Sequence, residues 1–248
     1  MASVEISEKA GVRQLHLGSP LIQGAMRIAR PWALELEYTR EMMFPLLLRG
    51  EPAWPARVLQ VGLGSASITR FLYRNRPQAK LTVVEIMPEV LAAARQYFKL
   101  PEDPARLEIV IGDGFEFMAS TRRRFDFIVV DGFDGEARAG MLDSAPFHHN
   151  VRERLSPRGM LAVNMLHRRG SVAASVQRIQ EAFGERLLVL PACEAGNTIA
   201  LAAAGAPVRV SMKALTAATL QLKDTAGLDL RPTLARLVKE RGNGSLAF

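Results

Sequence analysis

Four short stretches carry residues whose types and spacing suit chemistry on a single ligand. Gly62-Leu63-Gly64 follows the apolar run RVLQV and opens the helical SASITRFLYRN. Glycines there let the backbone turn sharply and approach a ligand, while the next helix N-terminus offers amides. Glu85 ends KLTVVE, where a carboxylate can accept hydrogens from both hydroxyls of a ribose. Gly112-Asp113-Gly114 follows RLEIVI; its carboxylate can accept from an adenine amino group, and Gly114 lets a ring lie near the backbone. Asp131 ends FDFIVVD, with Asp134 three residues on, and two carboxylates on one loop suit binding an amine or taking a proton. Ser67 stands where a dinucleotide fingerprint has its third glycine, which argues against a bound pyrophosphate. Taken singly, each stretch also reads as plain structure: a tight turn, a helix cap, a solvated loop.

The elements that must position these residues follow a regular order. Short apolar strands at 57–61, 80–86, 106–111 and 125–131 alternate with helical stretches. A further helix over SAPFHHNVRERL leads through Pro157-Arg158-Gly159 to the strand MLAVNML, and a helix spans 171–183. RLLVLP and NTIALAAA flank Ala-Cys-Glu-Ala-Gly as an antiparallel hairpin. Apolar, non-alternating strands between helices predict an α/β fold with a doubly wound, mostly parallel sheet. Ligands of such sheets bind beyond the carboxyl ends of the strands, at the switch point. Ahead of it, VRQLHL and LIQGAMRI predict a β-hairpin, and Pro31 opens a predicted helix through WALELEYTREMMFPLLL. The breaker-rich GEPAWPA marks the clearest boundary. The expected organisation is an N-terminal hairpin and helix at 1–50, a Rossmann-like nucleoside-binding domain at 51–205, and a helical extension at 206–248. Helices are expected near 211–223 and 231–240, with the final RGNGSLAF frayed.

Composition narrows the class. The 248 residues are 48% hydrophobic and 23% charged, as in ordinary folded domains, and no apolar run is long enough to cross a membrane. The single cysteine, Cys193, excludes a disulfide framework and a cysteine-rich zinc site, and is expected to be an inert buried thiol. The polar, acid-containing N-terminus is no signal peptide, so a cytoplasmic location is expected. The net charge is +7, but its densest run, Arg122-Arg123-Arg124, reads as a solvated turn, and aromatics are only 6%, too few for a single-strand nucleic-acid groove. His148 and His149 are adjacent, cannot chelate as an i,i+4 pair, and are expected on a surface helix.

The order of the signals resembles the spermidine/spermine synthase family of polyamine aminopropyltransferases. The resemblance rests on I-Q-G-A-M (22–26), Y-T-R-E-M-M (38–43), V-G-L-G-S (61–65), V-V-E-I (83–86), G-D-G (112–114) and V-V-D-G-F-D (129–134), and covers about residues 20–205. It implies a sheet of the class I methyltransferase type and, as co-substrate, decarboxylated S-adenosylmethionine. Gln23 and Glu85 would hold its ribose and methionine-derived part, Asp113 and Gly114 its adenine, with Gly62, Gly64 and Ser65 in the loop beneath. Asp131 would be the catalytic base, and Tyr38, Arg40 and Asp134 would meet the amine acceptor. The other partner expected is a second copy of the chain, in a homodimer, with no nucleic acid, membrane or metal.

Three departures from the family pattern bear on the acceptor half. Ser65 replaces an aspartate that holds the co-substrate's primary amine; Arg40 replaces a neutral polar residue; and P-A-C-E-A-G at 191–196 replaces an aromatic segment. An arginine near the acceptor predicts poor use of a plain diamine such as putrescine, because like charges about 4 Å apart repel by roughly 4 kcal/mol near a protein surface. The same departures leave open two other readings: a methyltransferase using S-adenosylmethionine, whose carboxylate would suit Arg40, and a nucleoside-binding protein without catalysis.

Overall fold

A computed structural model describes residues 3–166, 172–193 and 196–248. Three antiparallel strands come first: β1 (Val4–Lys9), β2 (Val12–Leu17) and β3 (Gly24–Arg27), in that spatial order. The predicted hairpin is thus β2–β3, and the N-terminal segment adds a third strand through six successive pairs from Val4↔Leu17 to Lys9↔Val12. The predicted helix from Pro31 is instead two short pieces, α1 (Glu37–Glu41) and α2 (Pro45–Leu48). The Arg40 guanidinium donates to the carbonyls of Leu34 and Glu35, at 3.0 and 2.7 Å, so those carbonyls do not carry a helix. Pro45, lacking an N–H, restarts the chain as the first residue of α2.

The main sheet is built from β4 (Arg57–Val61), α3 (Ser67–Asn75), β5 (Lys80–Glu85), α4 (Pro88–Tyr97), β6 (Leu107–Ile111), α5 (Gly114–Ser120) and β7 (Phe125–Val130). It continues through α6 (Ala145–Arg154), β8 (Leu155–Leu166), α7 (Val172–Phe183), β9 (Leu187–Val189) and β10 (Asn197–Ala203). The start of the predicted 171–183 helix lies outside the described residues. Spatial order is β6-β5-β4-β7-β8-β10-β9, with β6 to β8 parallel and β10 antiparallel to both neighbours. Chain order reverses between β4 and β7, which makes their carboxyl ends the switch point. Alternate residues feed two cores. Val58, Phe127 and Val129 face one layer, and Leu59, Val61, Ile128 and Val130 face the other. Both faces are therefore covered, as parallel sheets require.

The C-terminal segment holds β11 (Arg209–Ser211), α8 (Met212–Ala226), α9 (Arg231–Arg241) and β12 (Ser245–Ala247). The tail is not frayed: β12 pairs with β11, Leu246 and Phe248 are buried, and the amide and carbonyl of Phe248 both bond Val208. α9 clamps α1. The buried Glu41 carboxylate accepts from Arg236 and, at 3.1 Å, from the Thr233 hydroxyl, and Arg236 also reaches Glu37 at 2.9 Å. Burial pushes the Glu41 carboxyl up, and Arg236 works against that.

His148 corrects another expectation. The helix is at the surface, but this residue is fully buried against Phe147, with neither ring nitrogen hydrogen-bonded, and only His149 is exposed. Burial lowers the His148 pKa to about 4. Cys193 is buried, as expected.

Candidate active site

The switch point fixes the backbone first. Gly62 has φ +90°, and a Cβ on it would lie 2.1 Å from the Asp131 carbonyl oxygen, so only glycine lets β4 and β7 end side by side here. The N-terminal sheet leans on the same loop: a Cβ on Gly24 would meet the Ser65 hydroxyl at 2.5 Å. Ser65 itself is buried and shares a 2.9 Å hydrogen bond with Ser67, whose hydroxyl donates to the Ala25 carbonyl.

Glu85 and Asp113 are held by local backbone. Buried Glu85 accepts from the Leu63 amide at 2.8 Å through one oxygen and from the Met87 amide at 2.9 Å through the other. Asp113 is the N-cap of α5 and accepts from the amides of Phe115 and Glu116 through Oδ1, at 2.7 and 3.2 Å. Its Oδ2 takes no hydrogen bond among the described residues. A Cβ on Gly114 would strike Val61 Cγ1 at 2.4 Å and Leu142 Cδ2 at 3.2 Å, so packing alone already demands glycine there.

Asp131 is held differently. Its Oδ1 accepts from Asn164 Nδ2 at 2.8 Å, and the Tyr38 hydroxyl donates to the same carboxylate. Burial raises the Asp131 carboxyl above the usual range, and the two hydrogen bonds pull the other way. Burial and the adjacent carboxylate push the Tyr38 hydroxyl well above its ordinary value, so it stays a donor at neutral pH. Gln23, Tyr38, Gln60, Gly64, Ser65 and Asp131 line a narrow cleft of about 10 Å³, room for about one water. Its walls must part for anything larger.

The structure thus brings Gln23, Tyr38, Gly64, Ser65 and Asp131 to one cleft, with Gly62 in the loop beside it and Glu85 at the end of β5 holding that loop. Two expectations change. Arg40 does not line the cleft: its guanidinium is spent on the Leu34 and Glu35 carbonyls, and Thr39 faces the cleft instead. Asp134 is exposed and closes its own loop, accepting from the Glu136 and Arg138 amides and pairing with the Arg138 side chain at 2.8 Å. Against its slight burial, those bonds hold the Asp134 carboxyl below the usual range. Of the P-A-C-E-A-G segment, residues 194–195 lie outside the described residues.

Sequence reasoning missed four residues that hold the site. Asn164 touches Asp131, and Asn197 touches Asn164. Gln60 donates to the Gly62 carbonyl at 2.7 Å and accepts from Thr69 at 2.8 Å. Fully buried Arg70 ties the glycine loop to its surroundings through the carbonyls of Ser65, Pro31 and Phe98, and burial lowers its pKa to about 9. Polar residues inside apolar strands, as in RVLQV, MLAVNML and NTIALAA, were the available signal.

A spermine/spermidine synthase domain model matches residues 37–185. Over 245 residues, 99% of this chain and 92% of the relative, the sequence is 35% identical to a polyamine aminopropyltransferase of Neisseria meningitidis serogroup A. The chain belongs to the spermine/spermidine synthase family. The fold is likewise that of a probable spermidine synthase from Corynebacterium glutamicum (TM-score 0.72, 19% identity, 91% of each chain). Human methyltransferase-like protein 13, solved in complex with SAH, shares it as well (TM-score 0.69, 22% identity, 77% of this chain and 93% of that one). The sheet is therefore of the class I methyltransferase type. No group of His, Cys, Asp and Glu side chains among the described residues could hold a metal, and no described helix is long and apolar enough to cross a membrane.

Proposed function

We propose that this protein is a spermidine synthase-like transferase that moves an aminopropyl group from decarboxylated S-adenosylmethionine to a small amine. The observation that carries this reading is the half-buried Asp131 carboxylate at the switch point, held by Tyr38 and Asn164. Glu85 and Asp113 receive the nucleoside in this reading. Each Glu85 oxygen has one lone pair left after its backbone contact, and Asp113 Oδ2 is open to an amino group. Ile86, 61% exposed just beyond Glu85, offers an apolar face to a ring.

Alkylammonium groups have pKa values near 10.4, so at neutral pH only about one amine in 10³ is free to attack. Asp131 takes the proton from the incoming ammonium, and the amine nitrogen then attacks the carbon next to the sulfonium. The new N–C bond forms as the C–S bond breaks, and the sulfur leaves as a neutral thioether. A carboxyl raised by burial is a better proton acceptor than an ordinary aspartate. Tyr38, which stays protonated, keeps the carboxylate oriented. The acceptor is a small amine, as in the family to which the chain belongs.

Calorimetry with decarboxylated S-adenosylmethionine, S-adenosylmethionine and methylthioadenosine, followed by product analysis with a panel of amines, tests the reading. Preferred binding of the decarboxylated form and an aminopropylated product are expected. Preferred binding of S-adenosylmethionine with a methylated product would make the protein a methyltransferase, and binding with no product would make it a nucleoside binder.

A further inference from the structure

We propose that Asn164 and Asn197 form a directional donor relay that positions Asp131 and keeps its carboxylate ionised. This rests on the reading of Asp131 as the proton acceptor. In the pairing of β8 with β10, Asn164 lies opposite Ile199, so Asn197 is its diagonal neighbour on the same face. Both amides are buried, 6% and 5% exposed, where an unpaired polar group is costly. Their hydrogen bonds run one way. Asn197 Nδ2 donates to Asn164 Oδ1 at 2.9 Å, and Asn164 Nδ2 donates to Asp131 Oδ1 at 2.8 Å. The Cys193 thiol lies 3.9 Å from Asn197 Oδ1, the far end of the chain.

The direction has a consequence for orientation. An isolated asparagine could turn its amide nitrogen toward an ionised carboxylate or its oxygen toward a protonated one. Here a flipped Asn164 would set its oxygen against Asp131 and its nitrogen against the nitrogen of Asn197. Asn197 thereby reinforces the orientation in which Asn164 donates to the carboxylate. Aligned dipoles in a chain reinforce one another where water is excluded. The relay therefore opposes the desolvation that favours a protonated Asp131. Asn164 and Asn197 are positioning residues, not catalytic ones.

The test is a carbon-detected NMR titration of the Asp131 carboxyl in unliganded wild type, Asn164→Leu and Asn197→Leu, alongside the pH profile of kcat. Asn164→Leu should raise the Asp131 pKa by about one unit or more, the size of a charge-assisted hydrogen bond. Asn197→Leu should raise it less, because Asn164 is still present but free to flip. The acid limb of the kcat profile should move to higher pH by the same amounts, while KM for the nucleoside changes little. Should Asn164→Leu fail to fold, Asn197→Leu decides alone. An Asp131 carboxyl that titrates as in wild type in the folded variants would overturn the relay. Normal turnover by Asp131→Asn would instead overturn the role of Asp131 as proton acceptor, and the titration would still report on the relay.

Discussion

The two ends of the site are held by different means. On the side proposed for the nucleoside, Glu85 and Asp113 are fixed by amides two or three residues away or in the adjoining glycine loop. On the other side, Asp131 is fixed by side chains from α1 and β8, far apart in the chain. A carboxylate clamped by its own loop is also part of the fold's scaffolding, so removing it should cost stability and binding together. A carboxylate buried against other side chains carries a desolvation penalty, so removing its charge should relieve the fold while ending the chemistry. Stability and function are aligned at one end and opposed at the other.

The largest expected effect breaks this comparison most directly. Asp131→Asn keeps the shape and removes the base, so turnover should fall by about 10² to 10⁴. Because burial raises the folded-state pKa of Asp131, its penalty is absent below the unfolded carboxylate pKa and grows as pH rises through the folded value. The variant should therefore melt higher than wild type at pH 8 and not at pH 3, which calorimetric melting at both pH values would show. A lower melting temperature at pH 8 would remove the contrast.

Tyr38→Phe deletes one donor to that carboxylate and should lower kcat by roughly ten- to a hundredfold, the worth of a hydrogen bond to a charged group. Steady-state kinetics with the nucleoside saturating would check it. Glu85→Ala should weaken nucleoside binding by a similar factor and also destabilise the fold by about 1–3 kcal/mol, since the Leu63 and Met87 amides lose their acceptor. Binding lost with stability unchanged would mean that the loop does not need Glu85. The smallest effect concerns neither end. His148 is held neutral by burial, with its pKa lowered to about 4, so its contribution is present above about pH 6.5 and is lost as pH falls toward 4. That is roughly 3 kcal/mol in all. His148→Phe should flatten the acid limb of the stability curve with turnover at pH 8 unchanged; an unchanged acid limb would count against the buried, neutral imidazole.

The same contrast explains what could be read in the sequence. The glycine loop, Glu85 and Asp113 were legible because their geometry is local: a strand end, a turn residue and a helix start within a few positions. The doubly wound sheet was legible because apolar strands alternate with helices. Contacts between distant segments were not. Arg40 sits in a motif whose family pattern points to the substrate, yet its long side chain reaches back to the Leu34 and Glu35 carbonyls, and no spacing rule reveals that. Asn164 and Asn197 stand out as polar residues in apolar strands, but their pairing needs the β8–β10 register. The third N-terminal strand did leave a trace, since VEISEK alternates at Val4 and Ile6. The last residues left little: β12 and the residue after it have only Leu246 and Phe248 to bury, and the partner strand β11 lies more than thirty residues earlier.

The clamp of α9 on α1 makes the timing of biosynthesis part of the enzyme's assembly. Tyr38 emerges early from the ribosome, whereas Thr233 and Arg236, which neutralise and hold Glu41 three residues beyond it, come almost two hundred residues later. At roughly 5–20 residues per second, that interval is on the order of ten to forty seconds. Through it, the segment bearing the tyrosine has no counter-charge for Glu41 and no helix to lie against. Nascent chains therefore complete the ion-pair clamp on α1 only when α9 has been made.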